Sequence, residues 1–160
     1  MYQRIKLKQA LVDQLKGKTR AGDRVFFPRK RTLDAKSLPC LVVRSVNEEI
    51  ESETADLGFT FRKLNFEISA LLSSRNPEIE LDNFSQEVDR AIRQDRSLSY
   101  TSNDIKLKRI SFESEYVGTT VIAMALMEYE VEYSVQEQEI QTPILKTLII
   151  NGVESNARFN

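Results

Sequence analysis

The chain has 160 residues, a formal net charge of -1, an apolar share of 41% and a charged share of 29%, which predicts one soluble domain without general attraction to nucleic acid or membrane. With no histidine and one cysteine, the sequence excludes Ser-His-Asp and Cys-His catalysis, histidine-containing zinc sites, all-cysteine sites and an intrachain disulfide. No cofactor or metal is expected, and the absence of an apolar signal segment predicts maturation in a cytosol.

Two amphipathic helices are predicted. The first spans Arg4 to Lys16, and Gly17 follows where a left-handed residue commonly ends a helix. The second spans Asp82 to Arg96, and Asn83 with Gln86 resembles a capping box. Both helices carry an apolar stripe that would pack on a sheet. The stripes comprise Leu7, Ala10, Leu11 and Leu15 in the first helix, and Leu81, Phe84, Val88, Ala91 and Ile92 in the second.

Five segments have the composition or the alternation of β-strands. They are a short segment at Arg24–Pro28, then Leu38–Val46, Gly58–Leu72, Ile105–Phe112 and Thr119–Val135. The last segment alternates over the greatest length, so we expect it to be the central strand. Its connection to the preceding strand is predicted to be an antiparallel hairpin.

The segments between these strands also give predictions. The dense glutamates of Asn47–Asp56 favour an exposed acidic loop, because like charges repel one another. A change in the phase of alternation predicts a β-bulge near Arg62–Lys63, and a second slip is predicted near Lys108–Arg109. Ser114–Gly118 is predicted to turn the chain into the long strand.

The sequence changes character after residue 135. Residues 136–160 begin with a polar stretch, and the last eight residues are predicted to be disordered. The segment 144–150 is a strand-like run that could fold back as a sheet edge or add to the sheet of another chain. The residues that would mediate such an exchange are Ile144, Leu145, Leu148, Ile149 and Ile150.

Together these elements predict an α+β (α/β) fold. Its mixed, mainly antiparallel β-sheet carries two packed helices in a single domain, residues 1–135. Residues 136–160 form a C-terminal extension.

Two blocks of residues, taken in their order along the chain, resemble a known family, the tail terminator proteins of tailed phages (the minor tail protein U type). The first block is Ala10–Gly17, Ala21–Gly22, Arg24–Phe26 and Pro28–Arg29. The second block is Leu41–Val43, the acidic segment, Arg62–Leu64 with Phe66 and Ile68, the helix with Phe84, Val88 and Ile92, and the closing Tyr129–Tyr133.

The resemblance implies a non-catalytic virion protein that is assembled in the host cytoplasm and located at the neck, where head and tail join. In that family a small α/β domain forms a hexameric ring, which caps the head-proximal end of the tail tube and stops tube growth. The implied partners are further copies of the chain, the tail tube protein and the head-completion or connector protein. The extension departs from the family pattern and could donate a strand to a neighbouring subunit or, in a contractile tail, to a sheath protein.

A ring needs two different patches that meet between neighbouring subunits. The sequence offers oppositely charged candidates, although each patch could instead serve solubility alone. The basic candidates are Arg24, Arg29, Lys30 and Arg31, and the acidic candidates are Glu128, Glu130 and Glu132.

Three other functions compete with the tail terminator. A head-completion or neck protein would share the ring and dock on the portal side. A nucleic-acid-binding module would use Arg29–Arg31 with Phe26 and Phe27, and a ring could also present these residues to DNA passing through its lumen. An enzyme with paired carboxylates would use Glu128 and Glu130, but the same spacing arises on any exposed strand face.

Overall fold

The computed structural model describes residues 3–28, 35–54, 58–136, 148–150 and 153–155, to which all structural statements refer. Both predicted helices are present, as α1 (Gln3–Leu15) and α2 (Pro77–Arg93). Helix α2 begins five residues before the predicted start, so the capping box at Asn83 and Gln86 was wrong. Proline fits the first helical turn, and acidic residues in that turn favour the helix dipole.

The five predicted strands form one sheet in the order β1-β2-β3-β5-β4. They are β1 (Val25–Phe26), β2 (Cys40–Thr54), β3 (Phe59–Ser73), β4 (Asp104–Val117) and β5 (Thr120–Gln136). Strand β1 is parallel to β2, and the other neighbours are antiparallel. The predicted α+β fold, a mainly antiparallel sheet with two helices, is therefore confirmed.

The longest uninterrupted pairing joins β3 to β5. All 15 residues of β3 pair with β5 without a register shift, from Phe59–Gln136 to Ser73–Ile122. The predicted long strand is confirmed as β5, but its predicted central position was wrong. Strand β3 occupies the middle of the sheet, and β5 lies between β3 and the edge strand β4.

The acidic segment after Val46 is not a loop, so that prediction was wrong. Strand β2 continues to Thr54 and pairs with β3 along its length. The pairing places Glu48 and Glu51 beside Arg62 and Lys63, with which they form ion pairs. Opposite charges on adjacent strands stabilise a sheet, so the repulsion expected from the isolated segment is offset.

The bulge predicted near Arg62–Lys63 was also wrong. Buried residues alternate along β3 without a change of phase, and Phe59 and Phe61 simply face the other side of the sheet. The register shifts lie instead on β2, between Ser45 and Asn47 and between Ile50 and Ser52. The slip predicted near Lys108–Arg109 is confirmed by a shift between Leu107 and Arg109.

The predicted β4–β5 hairpin is confirmed, but its turn comes later than Ser114. Val117 still pairs with Thr120, so the connection consists of Gly118 and Thr119. Gly118 has a φ of 64°, which glycine adopts without the steric cost of a side chain.

Both helices pack on one face of the sheet and form a single apolar core with it. Alternate residues of β3 and β5 are buried against the helices, while the residues between them face the opposite side. Burying a large apolar side chain stabilises a fold by about 1.5–3 kcal/mol, so this face dominates the energetics. The largest core side chains include Leu7, Leu11, Phe66, Phe84, Ile68, Tyr129 and Tyr133.

In the extension, β6 (Leu148–Ile150) pairs antiparallel with β7 (Val153–Ser155) as a separate sheet. Leu148, Ile149 and Ile150 of the predicted exchange segment therefore pair within the same chain. Ile144 and Leu145 lie outside the described residues.

Candidate interaction surface

The predicted basic patch lies mostly outside the part of the chain that the structure describes. This applies to Arg29, Lys30 and Arg31. Arg24 is described and exposed, and its Nε donates a hydrogen bond to the backbone oxygen of Pro39 at 2.8 Å. Arg24 therefore anchors the chain that enters β2.

The three predicted glutamates lie on the sheet face opposite the two helices, which we call the open face. Each glutamate forms an ion pair with a basic residue of β4 in the same chain. The separation between Lys106 Nζ and Glu132 Oε1 is 3.0 Å, and that between Lys108 Nζ and Glu130 Oε1 is 3.6 Å. Arg109 pairs with Glu128.

These pairs change how the acidic patch should be interpreted. The hydrogen bond to Glu132 raises the pKa of Lys106, and the hydrogen bond to Glu128 raises the pKa of Arg109. Glu128 and Glu130 thus face separate cations. The sequence analysis missed the basic residues of β4, although a hairpin closed at Gly118 would have aligned them with these glutamates.

A second part of the open face is apolar. Five side chains on β2, β3 and β5 are only half-buried there, and we call this group the apolar strip. Large contiguous apolar patches on a soluble protein commonly mark interaction sites. The strip consists of Val42, Leu71, Ile122, Met124 and Leu126.

The two outer edges of the sheet are unpaired over long stretches of the described chain. Strand β4 pairs with β5 on one side only. Strand β2 pairs with β1 only at Leu41 and Val42, so no other strand of the described residues covers its edge from Val43 to Thr54. Beside this edge, an open cleft of about 520 Å³ lies between α1 and the end of β1.

On the helix side of the sheet, Glu48 connects three groups. It accepts a hydrogen bond from the hydroxyl of Tyr133 and one from Arg62 Nη1 at 3.3 Å. Arg4 Nε lies 3.8 Å from its carboxylate. The Glu48 side chain is only 14% exposed, so this cluster ties α1 to β2, β3 and β5.

The hydroxyl of Tyr129 makes a similar contact with a carboxylate of α2. It donates to Asp89 Oδ1 at 3.3 Å, and the other oxygen of Asp89 accepts from Arg93 Nε at 2.7 Å. Burial, followed by the negative charge of Asp89, raises the pKa of Tyr129 above its ordinary range. The two core tyrosines therefore place their polar ends beside carboxylates at the rim of the core.

Tyr133→Phe is expected to flatten the loss of stability at alkaline pH. Burial, followed by the hydrogen bond to Glu48, raises the pKa of Tyr133 from about 10 in an unfolded chain to about 12. Between these values the unfolded state releases the phenol proton and the folded state keeps it, so the free energy of unfolding falls as the pH rises. Urea unfolding across this pH range measures the difference, and parallel curves for the two proteins would contradict it.

The one cysteine is packed in the core. Cys40 is fully buried, and burial raises the pKa of its thiol, which disfavours the reactive thiolate. Within the described residues, no group of three or more acidic or cysteine side chains is arranged to hold a metal ion. None of the described helices is long and apolar enough to cross a membrane.

Comparison with known proteins adds no assignment. No protein-family model matches the chain, and the curated proteins give no significant match.

Proposed function

We propose that the chain is a structural subunit of a phage tail, a tail terminator that forms a ring on the head-proximal end of the tail tube. The ring would stop tube growth and present a surface to the head connector. The proposal starts from the family resemblance of residues 4–135. It is supported by the α+β fold, with two helices packed on a mainly antiparallel sheet, which is the architecture that the resemblance implies.

The open face is the observation that carries the proposal. One side of the sheet is covered by helices, while the other presents the apolar strip next to rows of paired charges. Apolar contact supplies affinity at protein interfaces, and surrounding charges fix the register of the partners. A subunit that acts through contacts with neighbours needs such a surface.

Isolated protein is expected to form a closed oligomer as its concentration rises, measured by native mass and by imaging of the particles. Added to tail tube protein, the oligomer should cap the tubes and hold them at a fixed length. The Leu126→Glu variant adds a charge to the apolar strip and should weaken capping, because a charge is costly to bury at an interface.

Gln86→Glu serves as the matched control, since it adds the same charge on the exposed surface of α2. Circular dichroism of both variants separates misfolding from lost contact. Tubes that lengthen equally with and without the wild-type protein would contradict the proposal. Capping of head connectors in place of tubes would instead indicate the neck protein.

A further inference from the structure

The strand directions allow the β4 edge of one copy to pair with the β2 edge of a second copy. Because β2 and β5 run in one direction and β3 and β4 in the other, β4 is antiparallel to β2. When a second copy is placed beside β4 with its sheet in the same orientation, β4 therefore meets β2 as an antiparallel pair. Strand β1 occupies the edge at Leu41 and Val42, so the contact has to lie along Val43–Thr54.

The charges on the open face match this pairing. Along β4, Lys106, Lys108 and Arg109 keep exposed side chains, at 46%, 53% and 68%, despite their intrachain partners. Along β2, the exposed Glu49 pairs in register with Lys63, so it lies on the open face, and Glu51 forms an ion pair with Lys63. The second half of β4 carries the exposed Glu113 and Glu115 on this face, and the exposed Arg44 precedes the glutamates on β2. Antiparallel pairing therefore sets the basic half of each edge against the acidic half of the other.

Large apolar side chains are exposed on the opposite side of each edge. Ile110 and Phe112 of β4 pair with Met127 and Ala125, whose side chains face the helices, yet they remain 36% and 51% exposed. Ile50 of β2 pairs with Arg62 on that same side and is 58% exposed. Joining the edges would bring these apolar side chains together, with the charges meeting on the other side.

We propose that β4 of one copy pairs antiparallel with residues 43–54 of β2 in the next copy and continues the sheet from subunit to subunit. This inference rests on the proposed ring and specifies its interface. Because the two edges differ, the contact is heterologous, which is the kind that generates rings. An antiparallel β4–β4 dimer would set the same basic residues against the exposed Glu113 and Glu115 of β4, but it would leave β2 unused, so reversing the charges of β2 separates it from the ring.

Two reversed variants test the pairing. Lys106→Glu with Arg109→Glu makes the β4 edge acidic, and Glu49→Lys with Glu51→Lys makes the β2 edge basic. Each variant alone should remain monomeric at concentrations where the wild type is fully assembled. An equimolar mixture should assemble again, with the two variants alternating, because every contact in such a ring joins opposite charges. Native mass spectrometry counts the copies of each.

Arg90→Glu is the matched control, because it also reverses an exposed basic charge, on α2. It should assemble like the wild type. If the double variants lose their circular dichroism spectrum, the milder pair Lys108→Glu and Glu49→Lys repeats the test, since the Lys108 ion pair is long at 3.6 Å.

The outcomes separate the two proposals. A wild-type ring whose folded reversed variants assemble normally, or fail to assemble when mixed, would overturn the edge pairing and leave the tail role intact. A wild type that neither oligomerises nor caps tubes would overturn both. Protection from hydrogen exchange of the β4 amides that point away from β5, in a wild-type monomer, would show that the same chain covers this edge, which also overturns the pairing.

Discussion

Phe84→Ala is expected to lower the free energy of unfolding by about 3–5 kcal/mol, the cost typical of removing a buried aromatic side chain. Phe84 lies at the middle of α2 and has no exposed surface. The guanidinium carbon of Arg20 lies 5.5 Å from the centre of its ring. The substitution would leave a cavity between helix and sheet and would remove that contact as well. Equilibrium unfolding in urea measures the loss.

Ile79→Ala provides the control on the same helix. Ile79 is 58% exposed, so truncating its side chain should change the free energy of unfolding by less than about 0.5 kcal/mol. Equal losses for the two variants would mean that α2 does not pack on the sheet through Phe84.

Glu48→Ala is expected to lower the free energy of unfolding by about 2–3 kcal/mol, near the top of the range for leaving buried hydrogen-bonding groups without a partner. The hydroxyl of Tyr133 and the Nη1 of Arg62 would both lose the acceptor they share. The Nε of Arg62 is already buried without a partner among the described residues, so the variant would leave the guanidinium with still fewer hydrogen-bond acceptors. Urea unfolding again gives the magnitude.

The neighbouring residue supplies the comparison. Glu49 is exposed on the opposite side of the same strand, and Glu49→Ala should change stability little. Combining Glu48→Ala with Tyr133→Phe should cost less than the sum of the single changes, because the two residues share one contact. Strict additivity would show that the hydrogen bond between them contributes nothing.

The elements with a strong period could be predicted from the sequence, because their period reflects one buried face. The alternation of β5 and the stripes of α1 and α2 belong to this class. Phe59 and Phe61 led to the wrong prediction of a bulge near Arg62–Lys63, because the positions of apolar residues do not tell which face of a strand is covered. The start of α2 at Pro77 carried its own signals, which the later Asn83 and Gln86 pattern obscured.

Features that depend on a neighbouring strand could not be predicted in the same way. The glutamates after Val46 resemble a loop until β3 places Arg62 and Lys63 next to them. Likewise, Glu130 and Glu132 resemble an unpaired acidic patch until β4 is aligned beside them. The charged patches of a sheet are set by its register, and the sequence of one strand does not contain that register.

The irregularities of the sheet are unevenly distributed. Three register shifts lie in the ladders of the outer strands β2 and β4, whereas the ladder between β3 and β5 has none. The subunit thus combines a regular central ladder, β3 with β5, with outer strands whose bulges increase local bending and twist. Two copies joined through β2 and β4 can change the angle between them while the hydrophobic core of each copy keeps its packing. The curvature of an assembly would then be set by these outer strands.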